Sequence, residues 1–327
     1  MIPLSILELV RVIEAGNARL ALDNARDLAR QAEGWGYRRI WVAEHHNFAG
    51  IASAATSVVI NHIAAGTENI RVGAGGIMLP NHAPLIIAEQ FGTLATLHPG
   101  RIDLGLGRAP GTDQLTIRAL RRDLMSAEHF PQDVIELQAF LRPPQSGQRV
   151  RAVPTPPEPV PLWILGSSIF GAQLAAELGL PYAFASHFAP DALLEALAVY
   201  RARFKPSDQL AAPYAMVGVN IIAAETDAQA RRLATSQQMS FAELLRGGAR
   251  LLQPPINDIE TYWSPAEKAQ AMRMLARSII GSPETVRAGM EQLKAETGAD
   301  ELIVVSDMFD HTARLRSFEI IAEIGRG

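Results

Sequence analysis

Four short polar groups in this 327-residue chain carry the residue types that chemistry needs: Glu44-His45-His46, Gly73-Ala74-Gly75-Gly76, Gly105-Leu106-Gly107-Arg108 and Gly166-Ser167-Ser168. Each ends or follows an apolar, β-prone run. The Gly166-Ser167-Ser168 turn lies between an apolar strand and a helical stretch, so backbone N–H groups and hydroxyls at the helix start can bind a phosphate. Arg108 can bring a permanently charged fork of donors to the same phosphate. Taken singly, a Gly-Ser-Ser turn also serves as a plain cap, and an arginine after a strand also serves as a solvated charge. The run Gly105-Leu106-Gly107 lacks the third glycine of a dinucleotide fingerprint, and Pro110 interrupts what should become a helix, so no nicotinamide site is read there.

An imidazole titrates near physiological pH, so one of the adjacent histidines can face a pocket as a neutral donor or proton carrier while the other packs beneath it. Successive residues of an extended strand point to opposite sides; His45 and His46 therefore do not converge on one ion, and no metal is expected. The bland alternative is two buried histidines satisfied by Glu44 and the backbone. His62, His82, His98, His129, His187 and His311 are scattered along the chain, and most of them read as structural.

Short apolar runs alternate with helical stretches, the pattern of parallel strands joined by crossover helices, and about eight such units are counted. The strands are read at 3–9, 39–43, 70–78, 101–107, 162–166, 182–186, 214–223 and 302–305. The helices are read from about 17 to 34, with Leu22, Ala25, Leu28, Ala29 and Ala32 as the buried face, and at 53–65, 83–97, 131–141, 171–178, 190–204, 228–245 and 310–324. Such alternation predicts a single (β/α)₈ TIM barrel over residues 1–327. A Pro-rich surface excursion is expected near 142–161, and an insertion by the barrel mouth near 247–281. Active sites of such barrels form from the loops after the strands, which is why polar residues at strand ends count most.

Composition narrows the function. Apolar residues make up 48% of the chain and aromatics 6%, so the core is built from Ala, Leu, Ile and Val, an α/β composition. A net charge of −4 and the lack of any long basic run exclude a nucleic-acid or membrane-surface partner. The absence of cysteine removes disulfides, thiolate metal sites and a cysteine nucleophile, and fits a reducing cytoplasm. The first residues lack a basic n-region and reach Glu8 too early for a secretory signal, and no apolar run reaches membrane-span length.

The chain resembles the bacterial luciferase-like flavin monooxygenases (the LLM class) nearly end to end, most closely their YhbW-type members. The resemblance is carried by segments 41–47 (Trp-Val-Ala-Glu-His-His-Asn), 75–82 (Gly-Gly-Ile-Met-Leu-Pro-Asn-His), 88–94 (Ala-Glu-Gln-Phe-Gly-Thr-Leu), 99–113 from Pro99 through Gly105-Leu106-Gly107-Arg108 to Asp113, and 163–168 (Trp-Ile-Leu-Gly-Ser-Ser). It implies a (β/α)₈ barrel with FMN as cofactor, and reduced FMN supplied by a separate flavin reductase. It further implies that O₂ is activated at the flavin C4a position, as a (hydro)peroxide, and one oxygen inserted into a small organic substrate. A homodimer is implied as well.

By position, His45 matches the family's pocket histidine, with Glu44 and His46 as supporting residues. Arg108, Gly166, Ser167 and Ser168 match the phosphate cradle. Gly75-Gly76 matches a non-proline cis peptide at the end of the third strand, beneath the flavin ring. Gly107 stands where the luciferases carry a cysteine, which removes thiol chemistry, and nothing points to a long-chain aldehyde or to light emission. Two alternatives accompany this reading: an F420-dependent hydride-transfer reductase of the same superfamily, and a flavin-binding protein without turnover.

Overall fold

The computed structural model describes residues 2–109, 113–156, 158–248 and 250–326; Pro110, Gly111 and Thr112 of the 99–113 segment lie outside them. Nine parallel strands run β1 (Leu4–Glu8), β2 (Arg39–Val42), β3 (Arg71–Met78), β4 (Ile102–Gly107), β5 (Leu162–Gly166), β6 (Tyr182–Phe184), β7 (Ala215–Ala223), β8 (Ile279–Gly281) and β9 (Glu301–Val305). Their order is β6-β5-β4-β3-β2-β1-β9-β7, and a β6–β7 pairing closes the ring. Eight strands therefore make the barrel, and β8 adds to the side of β7. The fold is the expected (β/α)₈ barrel.

Among the described residues, eleven α-helices accompany the strands: α1 (Ala18–Gly34), α2 (Thr56–Ala64), α3 (Pro84–Leu97), α4 (Gln114–Ala119), α5 (Phe130–Leu141), α6 (Ile169–Leu178), α7 (Leu193–Arg203), α8 (Asp227–Leu245), α9 (Pro265–Met274), α10 (Pro283–Thr297) and α11 (His311–Arg326). Helix α1 shows how local sequence sets an element. The Asn17 side chain accepts from the Leu20 N–H at 2.9 Å and caps the helix start. Its buried face is Ala21, Ala25, Leu28, Ala29 and Ala32, so Ala21 takes the place that the sequence reading gave to Leu22. Among the described residues, no helix is long and apolar enough to cross a membrane.

Strand alternation divides the interior into two cores. Outward residues such as Val72, Leu104, Ile164 and Val217 pack under the helices. Inward residues Leu7, Trp41, Ala43, Trp163, Ala183, Met216, Ile303 and Val305 fill the lumen. Below them Arg39 crosses the lumen, bonded to Asp103 at 2.7 Å and Glu301 at 2.9 Å and stacked 4.8 Å from the Trp163 ring centroid. A paired charge can be buried there because every partner is supplied.

The excursion at 142–161 contains a cis Val153–Pro154 peptide and lies against α3, where the Pro154 carbonyl occupies the space beside Gly92. The described residues of the stretch read as an insertion at 247–281 include a 3-10 turn (Ile259–Thr261), α9 and β8. Its Leu252 exchanges backbone hydrogen bonds with the loop after β1, from its N–H to the Val12 carbonyl at 2.9 Å and from the Glu14 N–H to its own carbonyl at 2.8 Å. Helix α10 and strand β8 were not read from the sequence.

Candidate active site at the strand C-terminal ends

The ends of β4 and β5 lie side by side, in register at Gly107 and Leu165. Arg108 leaves β4 with its guanidinium 4.3 Å from the ring centroid of Phe170, in the first turn of α6. Ser168 is the N-cap of α6, and its side chain makes no capping bond. The turn is held from below by the Tyr182 hydroxyl, which donates to the Ser168 carbonyl at 3.1 Å. Gly166 and Gly171 approach so closely that a Cβ on Gly166 would lie 3.6 Å from the Gly171 Cα. Arg108, Gly166, Ser167 and Ser168 are thus brought to one corner, with a cation above a helix start whose first N–H groups lack a side-chain acceptor.

The ends of β2 and β3 meet at Glu44. Its buried carboxylate accepts from His46 Nε2 at 2.7 Å, His82 Nε2 at 2.8 Å and the Met78 N–H at 3.0 Å. Burial works to raise this carboxyl, but the hydrogen bonds from His46, His82 and the Met78 backbone outweigh it and hold the pKa down at about 2. The bond to Glu44 in turn raises His46 above the ordinary histidine value. His82, one of the scattered histidines in sequence, belongs to this hub. Its place in the same motif as Gly75-Gly76 was the available signal.

His45 sits in the opposite environment from its neighbours. It follows Ala43 at the inward parity of β2, and its Nδ1 is shielded from solvent with no hydrogen-bond partner among the described residues. Burial, aided by the charges of Arg11 and His46, lowers its pKa to about 4, so the ring is neutral at physiological pH. His45 and His46 do not share a partner. What strand alternation could not show is that His46 meets a different imidazole, His82, over one carboxylate.

Between these two corners, the Gly75–Gly76 peptide is cis, and the register of β3 against β4 shifts between Ala74 and Ile77. A Cβ on Gly76 would lie 2.7 Å from the Gly105 carbonyl oxygen, and one on Gly75 would strike the side chains of Leu7 and Trp41. Both positions need glycine because neighbouring strands and the lumen core already fill the space.

A profile of the luciferase-like monooxygenases matches residues 4–301. The chain is 55% identical to the Bacillus subtilis protein YvbT over 98% of its length and 96% of that protein's. It is 52% identical to an Escherichia coli luciferase-like monooxygenase, covering 99% of this chain and 97% of that one. At 30% identity it matches a B. subtilis N-acetyl-S-alkylcysteine monooxygenase, covering 99% and 98%. Among solved structures, apo-MsnO8 superposes with a TM-score of 0.92 at 37% identity, covering 100% of this chain and 99% of that one. Two more distant structures share the fold. One is the oxygenating constituent of a Pseudomonas putida 3,6-diketocamphane monooxygenase in complex with FMN (TM-score 0.74, 18% identity, 99% and 97% covered). The other is an F420-dependent secondary alcohol dehydrogenase (TM-score 0.69, 14% identity, 99% and 98% covered). This chain belongs to the luciferase-like monooxygenase family.

Proposed function

We propose that this protein is an FMN-dependent monooxygenase acting on a small organic substrate, with reduced FMN delivered by a separate reductase. The observation that carries the reading is the stacking of the Arg108 guanidinium on Phe170 at the start of α6, where Ser168 holds the N-cap position with its hydroxyl making no capping bond. A phosphate there would gain a permanent cation, a helix N-terminus and two hydroxyls at once. The rest of the site suits the group as well. The glycine pair 75–76 offers backbone without side chains, and the shielded Nδ1 of His45 leaves a polar atom with no hydrogen-bond partner among the described residues.

Bound and reduced, FMN supplies two electrons, so that one atom of O₂ enters the substrate and the other leaves as water. The chain's own residues do the remaining work. Arg108, Gly166, Ser167 and Ser168 hold the phosphate, while Gly75 and Gly76 support the ring. His45, neutral at working pH, can donate or accept a proton beside the reacting atoms without bringing a charge into a dry site. Glu44 and His46 act through position: the Glu44 carboxylate ties the loop after β2 to the Met78 backbone of β3. We read the Glu44–His46–His82 cluster as a proton-sharing clamp and not as an ion site. Its ligand atoms lie within 4.8 Å of one another, yet both Nε2 atoms already sit at hydrogen-bond distance from the single oxygen Glu44 Oε1.

The F420 relative in the same fold keeps a hydride-transfer reading in contention, and one experiment separates the two. FMN and F420 are titrated side by side by fluorescence, and O₂ uptake is then followed with the reduced form of whichever binds. FMN binding with O₂ consumption is the expected result. Preference for F420, or no O₂ uptake with any reduced flavin, overturns the monooxygenase. Tight FMN binding with no substrate-dependent oxidation across a substrate screen would leave a flavin-binding protein without turnover.

A further inference from the structure

Three aromatic rings form a line through the lumen, from the glycine pair of β3 to the base of the barrel. Trp41 begins it. It stands in register with Gly73, two residues nearer the base than Gly75, and a Cβ on Gly75 would lie 3.2 Å from the indole Cε3. Trp163 follows with its ring centroid 5.0 Å from that of Trp41, and Tyr214 follows 5.7 Å from Trp163, each pair packed edge to face. Tyr214 directly precedes β7, so it sits half-buried at the base. Its hydroxyl donates to Glu301 Oε2 at 2.8 Å and accepts from Arg38 Nη1 at 2.9 Å, and the Arg38 side chain is 50% exposed. Trp41, Trp163 and Tyr214 thus join the middle of the candidate site to solvent at the opposite end of the barrel.

Bulk alone does not account for this line, because Leu7, Ile303 and Val305 fill neighbouring lumen positions without aromatic rings. What the three rings share, and aliphatic side chains lack, is the ability to give up an electron. Their polar neighbours suit that use. The Arg39 guanidinium lies 5.6 Å from the Trp41 ring and 4.8 Å from the Trp163 ring. A cation beside a ring opposes positive charge on it, so an electron hole does not rest on either tryptophan. Tyr214 differs, since a phenol that loses an electron becomes a strong acid and the Glu301 carboxylate is within hydrogen-bond reach of its proton. The resulting tyrosyl radical is neutral, and Arg38, 5.7 Å from the ring, does not oppose it.

We propose that Trp41, Trp163 and Tyr214 form an electron-transfer line that carries oxidising holes away from the flavin site to the barrel base. The proposal rests on that flavin site and adds a protective function to it. An oxygen-centred radical left at the site by failed turnover takes one electron from Trp41. Trp163 then reduces Trp41, and Tyr214 reduces Trp163 while its phenolic proton moves to Glu301. With that electron and a proton from solvent at the mouth, the oxygen radical becomes a hydroxyl compound. A thiol or ascorbate in solvent returns a hydrogen atom to the tyrosyl radical, and Glu301 releases its proton.

The test uses the FMN-loaded protein. A blue flash makes bound FMN a one-electron oxidant, and transient absorption and EPR follow the radicals. The wild-type protein is expected to show a tryptophan radical that passes into a tyrosyl radical, more slowly in D₂O than in H₂O because the phenolic proton moves. Tyr214→Phe should lose the tyrosyl signal and keep a longer-lived tryptophan radical. Trp163→Phe should lose the tyrosyl signal while Trp41 is still oxidised. Both variants should bind FMN as the wild type does. In uncoupled turnover with reduced FMN and O₂ they should start at the wild-type rate and be inactivated after fewer turnovers.

A tyrosyl signal that survives in Tyr214→Phe, or that forms as fast without Trp163, overturns the line, and inactivation at the wild-type pace overturns its protective role. Where a variant does not fold, the wild-type protein still decides: no tyrosyl radical, or equal rates in D₂O and H₂O, overturns the proposal. Failure to bind FMN sinks the proposed function instead. Ultraviolet photoionisation of tryptophan in the flavin-free protein, with the same variants, then tests the line by itself.

Discussion

The guanidinium of Arg108 lies 4.3 Å from the ring centroid of Phe170, which fastens a side chain from the end of β4 to the first turn of α6. A stacked arginine is pre-oriented, so less freedom is lost when it meets an anion. Arg108→Ala is therefore expected to weaken FMN binding by about 1.5–3 kcal/mol, the scale of a lost charged hydrogen bond. Phe170→Ala keeps the charge and loses the stack, and should cost about 0.5–1 kcal/mol. Flavin fluorescence titration reads both. Unchanged affinity in Arg108→Ala removes that residue from the cradle, and an equal loss in the two variants would mean that orientation outweighs charge.

His45→Ala separates binding from chemistry. The ring is neutral and its Nδ1 has no hydrogen-bond partner among the described residues, so little of the FMN affinity should depend on it. Coupled oxidation should fall by about 10²–10⁴-fold, the usual contribution of a positioned acid or base. With reduced FMN, an O₂ electrode and a peroxide assay should show continued O₂ uptake with faster H₂O₂ release. Normal coupled turnover would refute the role.

Chelation tests the clamp reading of Glu44, His46 and His82. Two imidazoles at 2.7 and 2.8 Å from one carboxylate oxygen are satisfied by protons, so dialysis against EDTA should leave melting temperature and FMN affinity unchanged. Added Zn²⁺ should give no stabilisation, whereas a true site would raise the melting temperature with metal concentration by mass action. Removing the carboxylate is a different matter. Glu44→Ala strips four donors (His46, His82, the Asn81 amide and the Met78 N–H) of their acceptor and should cost about 3–5 kcal/mol in urea unfolding.

The barrel was legible because parallel strands covered on both faces read as continuous apolar runs; Leu162–Gly166 has the same limits in sequence and structure. Helices α9 and α10 were missed although their starts were written in the chain. Ser264-Pro265-Ala266-Glu267 forms a capping box, and Ser282 caps α10 with Pro283 in the first turn. Helix α9 buries only Ala271, so no apolar stripe advertised it, whereas Val286, Met290 and Leu293 in α10 did carry a helical period. At the site, Glu44-His45-His46 could be picked out because its three residues are adjacent. His82 has only its place in the Gly75-Gly76 segment to mark it and His187 has nothing, since what distinguishes each is a neighbour brought by folding: the Glu44 carboxylate for one, the empty side of Gly218 for the other.

Acid stability follows from the same groups, with signs that oppose one another. His45 and His187 have native pKa values of about 4, below the ordinary 6.5. Between those limits the unfolded chain binds protons that the folded chain refuses, so stability falls as pH drops from 6.5 towards 4, by about 1–3 kcal/mol per ring. His46, raised by Glu44, works the other way: its contribution is full below 6.5 and is lost as pH rises through its native value. Glu44, held at about 2, adds stability that is complete above 4.5 and disappears as pH falls from there towards 2. Urea midpoints should therefore decline between pH 6.5 and 4, where the contribution of His46 is already complete, and decline again below 4.5. His187→Gln should flatten the upper part of that decline and leave the lower part in place. A midpoint that rises on acidification from pH 6.5 to 5 would mean that the two mouth histidines are charged in the folded protein.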